Sequence, residues 1–132
     1  MIEDKKMSKQ VNVGVATKIG KYSDAVEIRA GARQLHVSGT PGIREDGTVP
    51  DDFAEQADLA WKNLIEILQA AGMRVENLVK ITQTLLRAED IPTYVRVRAK
   101  YLGEHRPASM LSIVSGLVRP NILFEIEAIA AE

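Results

Sequence analysis

The chain has 132 residues, of which 45% are hydrophobic and 27% charged, and its 17 Lys+Arg against 18 Asp+Glu leave a net charge of -1. That composition supports one domain with an apolar core, and it disfavours intrinsic disorder or a phosphate-neutralising nucleic-acid binder. With 0 cysteines there is no disulfide, thiol nucleophile or Cys-ligated zinc, and aromatics at 5% point to an aliphatic core.

Met1 to Gln10 read MIEDKKMSKQ, charged and without an apolar run. This is neither a signal peptide nor a membrane span, so the expected setting is cytoplasmic. Met7 is a second plausible start, which would make Met1 to Lys6 an upstream extension. Residues 1–10 are expected to be a flexible extension and 11–132 a single domain.

Ala25, Val26 and Ile28 begin a strand-like stretch that resumes at Gln34-Leu35-His36-Val37-Ser38. Gly31 stands between the two where a hairpin needs positive φ. Gly39-Thr40-Pro41-Gly42 and Asp46-Gly47 are turn signals.

Pro50 to Gly72 reads as a helix. Asp51 or Asp52 can cap it, Glu55 lies in its first turn, and Gly72 ends it. Phe53, Ala57, Ala60, Leu64, Ile67, Leu68 and Ala71 form one apolar stripe, flanked by Trp61 and Ile65.

Leu78 to Leu86 is a strand with Val79, Ile81 and Leu85 on one face. Asp90 to Leu102 is a second helix, capped by Asp90, with Ile91, Tyr94, Val95 and Leu102 inward and Gly103 as terminator. Met110 to Ser115 and Ile122 to Ala130 are the closing strands. In the last, Ile122, Phe124, Ile126, Ala128 and Ala130 point one way, and Leu123, Glu125, Glu127 and Ile129 the other.

The expected class is therefore α+β, a mixed sheet with two helices on one face. Two helices cannot cover both faces of five or six strands. Leu123 and Ile129 make the second face partly apolar, so self-association is the favoured way to bury it.

Glu125 and Glu127 share one face of an apolar strand, with side-chain origins about 6.5–7 Å apart. Partial desolvation would raise a carboxyl pKa and make a usable general base or acid. Alternatively, both carboxylates face solvent or pair with cations at a subunit contact. Arg106, beside Pro107, could grip a carboxylate or simply lie near a helix end, and Arg119 carries the same two readings. His105 reads as a solvated loop residue or proton shuttle, and His36 as a half-buried strand residue. No serine triad or Gly-rich phosphate loop is visible, and a metal site is not supported.

Several segments, in order, resemble the YjgF/Rid (reactive intermediate deaminase) family. They are Ile19-Gly20-Lys21-Tyr22-Ser23, Leu35-His36-Val37-Ser38-Gly39, Phe53-Ala54-Glu55-Gln56-Ala57 and Ala70-Ala71-Gly72-Met73. Asn77-Leu78-Val79-Lys80-Ile81-Thr82, Arg106-Pro107-Ala108 and Phe124-Glu125-Ile126-Glu127-Ala128-Ile129-Ala130 complete the set. The resemblance spans Ile19 to Ala130. It implies a chorismate-mutase-like fold, a homotrimer whose sheets pack into a central core, and sites in clefts between subunits. It also implies cofactor-free hydrolysis of small enamine or imine metabolites, such as 2-aminoacrylate.

By the same resemblance, Glu125 matches an acidic residue that positions or activates water, and Tyr22, Ser38 and Gly39 match cleft-lining positions. Where deaminating members carry a carboxylate-gripping Arg, this chain has Ser109, or Met110 if shifted by one. Neither is cationic, so a specificity different from 2-aminoacrylate deaminases is expected. Arg106 could replace the missing charge, and backbone N–H groups beside Met110 could bind an acceptor oxygen. The alternatives are a non-catalytic trimer that binds a small metabolite and, less favoured at net charge -1, a ribonuclease or translation inhibitor.

Overall fold

The computed structural model describes residues 6–132. Residues 1–5 of the expected extension lie outside the described residues. Within the rest of it, Ser8 to Gln10 belong to the first strand, β1 (Ser8–Val11), which pairs antiparallel with β2 (Ala25–Ile28). Gly31 does adopt positive φ, at 88°. It links two different sheets rather than closing a hairpin, because the next strand, β3 (Gln34–Pro41), pairs with the last one.

Helix α1 spans Phe53–Ala70, and the Asp52 carboxylate accepts the Glu55 N–H at 3.1 Å as its cap. At its end Gly72 takes φ 73°, and the Met73 N–H turns back to the Leu68 carbonyl at 2.8 Å. The buried stripe is Phe53, Gln56, Ala57, Ala60, Trp61, Leu64 and Leu68. Trp61 is thus inside rather than flanking, and Ile67 is left 39% exposed because it points one residue past the stripe.

Strand β4 (Leu78–Leu85) follows, then α2 (Ile91–Leu102), β5 (Ala108–Ile113) and β6 (Phe124–Ala131). Asp90 stands at the start of α2 but does not cap it, since its carboxylate accepts from Arg87 Nε at 2.8 Å. Val97 rather than Val95 faces inward with Tyr94, one turn along the helix.

The main sheet has the order β3-β6-β4-β5. β6 runs antiparallel to both neighbours, while β4 and β5 are parallel and joined by α2 as the crossover. Both helices cover the same face, where Ile122, Phe124, Ile126, Ala128 and Ala130 are buried as expected. The core is more aromatic than the composition suggested. Trp61 stacks on Tyr101 at 5.5 Å, and Tyr94 and Phe53 both pack on Phe124, at 4.6 and 6.2 Å. Few aromatics are present, but nearly all of them are spent at this one place. No described helix is long and apolar enough to cross a membrane.

Candidate active site: two half-sites on opposite faces of one sheet

The helix-free face carries the first group. Opposite Glu127, β3 has an extra residue: Val37 pairs with Ala128 and Thr40 with Ile126, so Ser38 and Gly39 form a bulge. The Thr40 hydroxyl holds the bulge by donating to the Ser38 carbonyl at 2.8 Å. The bulge turns Gly39 under the Glu125 carboxylate, and any Cβ at position 39 would collide with Glu125 Oε1. A glycine is therefore needed for the carboxylate to lie where it does.

Burial pushes the Glu125 carboxyl above its ordinary range, and the like charge of Glu127 adds to the shift. No described Lys or Arg forms an ion pair with either carboxylate. Beside Glu127, a hollow of about 250 Å³ is lined by His36, Ser38, Lys80, Thr82 and Ile129, among others. Met110, 58% exposed, joins the same face because it pairs in register with Thr82, which pairs with Glu127.

Ser109 lies on the other face. It pairs in register with Ile81, so its side chain points toward the helices. There its hydroxyl accepts from Gln83 Nε2 at 2.8 Å, and the same amide nitrogen donates to the Met110 carbonyl at 3.0 Å. Gln83 is fully buried, and its Oε1 accepts from the Tyr94 hydroxyl at 2.6 Å and from Arg98 Nη1 at 3.1 Å. Trp61 Nε1 donates to the Tyr94 oxygen at 3.3 Å, completing a polar chain through the core.

Tyr22 is placed with β5, not with Glu125. The adjacent Ser23 bridges Ala108 and donates its N–H to the Pro107 carbonyl at 3.2 Å, fixing the segment along the outer edge of β5. Two strands, β5 and β4, separate that edge from β6, a span of about 14 Å at the usual strand spacing. Arg106 is turned to the end of α2, donating to the Gly103 carbonyl at 3.0 Å, and Arg119 donates to the Gly47 carbonyl at 3.3 Å. His105 meets the Leu78 carbonyl at 2.7 Å, and His36 faces Gln34.

Of the residues singled out from the sequence, the structure brings together Ser38, Gly39 and Glu125, with Met110 on the same face. It sets Ser109 behind the sheet and Tyr22 at the far edge. Sequence reasoning missed Gln83 and Arg98. Gln83 was accessible in principle, since it alternates with Ile81 and Leu85 on the inward face, and Arg98 follows the inward Tyr94 by one helical turn. Among the described residues no group of three or more His, Asp or Glu could hold a metal ion.

A family model described as Endoribonuclease L-PSP matches residues 14–132. The chain is 37% identical over 116 residues to a mouse (Mus musculus) 2-iminobutanoate/2-iminopropanoate deaminase, covering 86% of this chain and 83% of the relative. It is 36% identical over 114 residues to a RutC family protein of Pyrococcus horikoshii, covering 85% and 87%. Among solved structures, a Rid-family protein of unknown function from Yersinia pestis superposes with a TM-score of 0.84 at 25% identity, covering 96% and 100% of the two chains. A YjgF/YER057c/UK114-family protein of Mycobacterium tuberculosis does so with a TM-score of 0.69 at 28% identity, covering 95% and 99%.

Proposed function

The chain belongs to the YjgF/Rid family, and from that premise we propose that it is a cofactor-independent deaminase of small imine or enamine metabolites. Its specificity differs from that of 2-aminoacrylate deaminases, and its proposed setting is the cytoplasm. The observation that carries the reading is Glu125. Its carboxylate is half-buried over Gly39, raised in pKa and unpaired by any described cation, and its face-sharing neighbour Glu127 lines an open hollow. A carboxylate in that state can serve as a general base that takes a proton from water and returns it.

The step balances with water alone. Glu125 takes a proton from water as the water oxygen bonds to the carbon of the protonated imine, giving a neutral carbinolamine. Glu125 returns that proton to nitrogen, the C–N bond breaks as the carbinolamine hydroxyl gives its proton back to Glu125, and carbonyl product and ammonia leave. An enamine reaches the same protonated imine by taking a proton at carbon.

The active assembly is proposed to be a homotrimer. On one chain Glu125 lies on the open face, Ser109 on the helix face and Tyr22 beside the β5 edge, so a cleft that contains all three needs a second copy. Val13, Val15, Ile19 and Val118 are between 61% and 84% exposed, apolar surface of the kind a subunit contact would cover. A ribonuclease reading gains nothing from a net charge of -1.

A second reading, a trimer that binds a small metabolite without turning it over, rests on Ser109. Its neutral side chain is engaged by Gln83 and offers a substrate no charge. The test is ammonia release from freshly generated 2-aminoacrylate and 2-iminobutanoate, with sizing of the active species against three 14.5 kDa subunits. We expect turnover that Glu125→Gln lowers roughly 10²–10⁴-fold. Saturable binding without turnover would establish the second reading instead, and a monomer would overturn the shared cleft.

A further inference from the structure

Resting on that reading, we infer that Asp24 is a positioning residue for Tyr22: its carboxylate fixes the loop that presents the Tyr22 ring at the edge of β5. Between β1 and β2 the chain leaves the sheet as residues 12–24. Four successive amides of this loop converge on one side chain. Asp24 Oδ2 accepts from the Val13, Gly14 and Val15 N–H groups at 2.6, 3.0 and 3.4 Å, and Oδ1 accepts from the Ala16 N–H at 2.5 Å. In return the Asp24 N–H donates to Asn12 Oδ1 at 3.0 Å, which closes the neck of the loop.

The order set by Asp24 reaches Tyr22 through the backbone. Ala16, held by its N–H, offers its carbonyl to the Ile19 and Gly20 N–H groups, both at 2.9 Å. Gly20 lies against the Tyr22 ring: a Cβ at position 20 would meet ring carbons Cε1 and Cδ1 at 3.5 and 3.6 Å. On the other side stands Ser23, whose N–H donates to the Pro107 carbonyl at 3.2 Å and whose hydroxyl donates to the Arg106 carbonyl. Tyr22 is thus held between two anchors, and the Gly20 anchor depends on Asp24.

Core packing does not account for this arrangement. Of residues 12–22 only Ala16 is buried, and Val13, Val15 and Ile19 are between 61% and 80% exposed. The loop adds little buried apolar surface, so what the four bonds secure is the place of an exposed segment. The Val13 and Ala16 amides foremost hold the Asp24 carboxyl below its ordinary range, which keeps both oxygens as acceptors at neutral pH. Asparagine is no substitute, because it turns one of those oxygens into an NH₂ donor facing N–H groups.

The test uses the full chain labelled with 3-fluorotyrosine and read by ¹⁹F NMR, which follows its 3 tyrosines separately. Tyr22 is assigned by the signal lost in Tyr22→Phe. In Asp24→Asn the Tyr22 resonance should move toward that of free fluorotyrosine, while Tyr94 and Tyr101 stay in place. Asp24→Glu, which keeps both oxygens, should return part of the shift. On 2-iminobutanoate, Asp24→Asn should lower kcat/KM about tenfold to a hundredfold. In calorimetric titrations with 2-oxobutanoate, Asp24→Asn should weaken binding in wild type and add nothing in a Tyr22→Ala background, since a residue acting through Tyr22 has nothing left to position.

If Asp24→Asn does not fold, Asn12→Ala decides, because it opens the exposed neck of the same loop and should move the Tyr22 signal in the same direction. An unmoved Tyr22 resonance, or a loss of binding that adds in full to that of Tyr22→Ala, would overturn the inference. A Tyr22 resonance that follows Asp24 in a protein without imine turnover would sink only the deaminase reading.

Discussion

Phe124 and Glu125 are neighbours in sequence and stand on opposite faces of the same strand, and the two faces are built on different rules. On the helix side every buried polar atom is partnered: Gln56 reaches the Pro50 and Asn121 carbonyls, and Gln83 satisfies Tyr94, Arg98 and Ser109. On the open side two carboxylates are placed two residues apart without an ion pair to any described cation, one of them lying where only a glycine at position 39 leaves it room. The first face maximises burial and hydrogen bonding, which is what stability requires. The second keeps an electrostatically unfavourable arrangement that stability alone would not select, and such conflicts concentrate where chemistry occurs.

The contrast is broken or sharpened most strongly by the adjacent pair. Phe124→Ala should cost about 3–5 kcal/mol in denaturant unfolding, because two rings, Phe53 and Tyr94, lose their packing partner. Glu125→Gln should cost no stability at neutral pH while removing most activity. The folded-state pKa of Glu125 is raised, so the folded protein holds that proton more tightly than the unfolded chain. Stability therefore falls as pH rises from the ordinary carboxyl value through the raised one, and Glu125→Gln should remove that fall. Activity of wild type should rise over the same range as the base ionises. If Glu125→Gln destabilised the protein as much as Phe124→Ala, the two-face distinction would be lost.

Gly39→Ala should act on the open face alone. The new methyl must displace the Glu125 carboxylate, and a misplacement of that kind lowers kcat roughly tenfold to a hundredfold. Circular dichroism should show an unchanged fold, and an unaffected kcat would mean that the Gly39–Glu125 contact has no part in the reaction.

The smallest effect belongs to the helix layer. Burial alone would raise the Asp58 carboxyl, but Lys100, Tyr101 and Lys62 outweigh it and bring the value down to about 2. Asp58→Asn should therefore cost on the order of 1–2 kcal/mol at pH 7, with the difference from wild type vanishing as pH falls toward the Asp58 value. A constant difference down to acid pH would assign the loss to packing instead of charge.

Much of this was legible in the chain. Asp52 and Gly72 bracket α1 because caps and positive-φ glycines are local signals. The alternation in β6 assigns Phe124 and Glu125 to opposite faces without any tertiary information. What was not legible depends on partners distant in sequence. β2 pairs with β1 and not with β3, a choice made by the neighbouring elements and not by the turn between them. Ser109 and Glu125 are expected in one cleft between subunits, and the motif does not reveal that on a single chain the pairing of Ser109 with Ile81 puts it behind the sheet. Gln83 and Arg98 escaped notice because a buried amide and a half-buried guanidinium look like surface residues until their partners are seen.

The most direct test of the divided site is complementation between two inactive variants. Tyr22→Ala damages the β5 edge and Glu125→Gln the open face, so neither homotrimer should deaminate 2-iminobutanoate. Co-expressed in equal amounts, they should regain about a quarter of wild-type sites, those in which an intact Glu125 half meets an intact Tyr22 half from the next subunit. A mixture no more active than its separate components would contradict a site shared between copies of this chain.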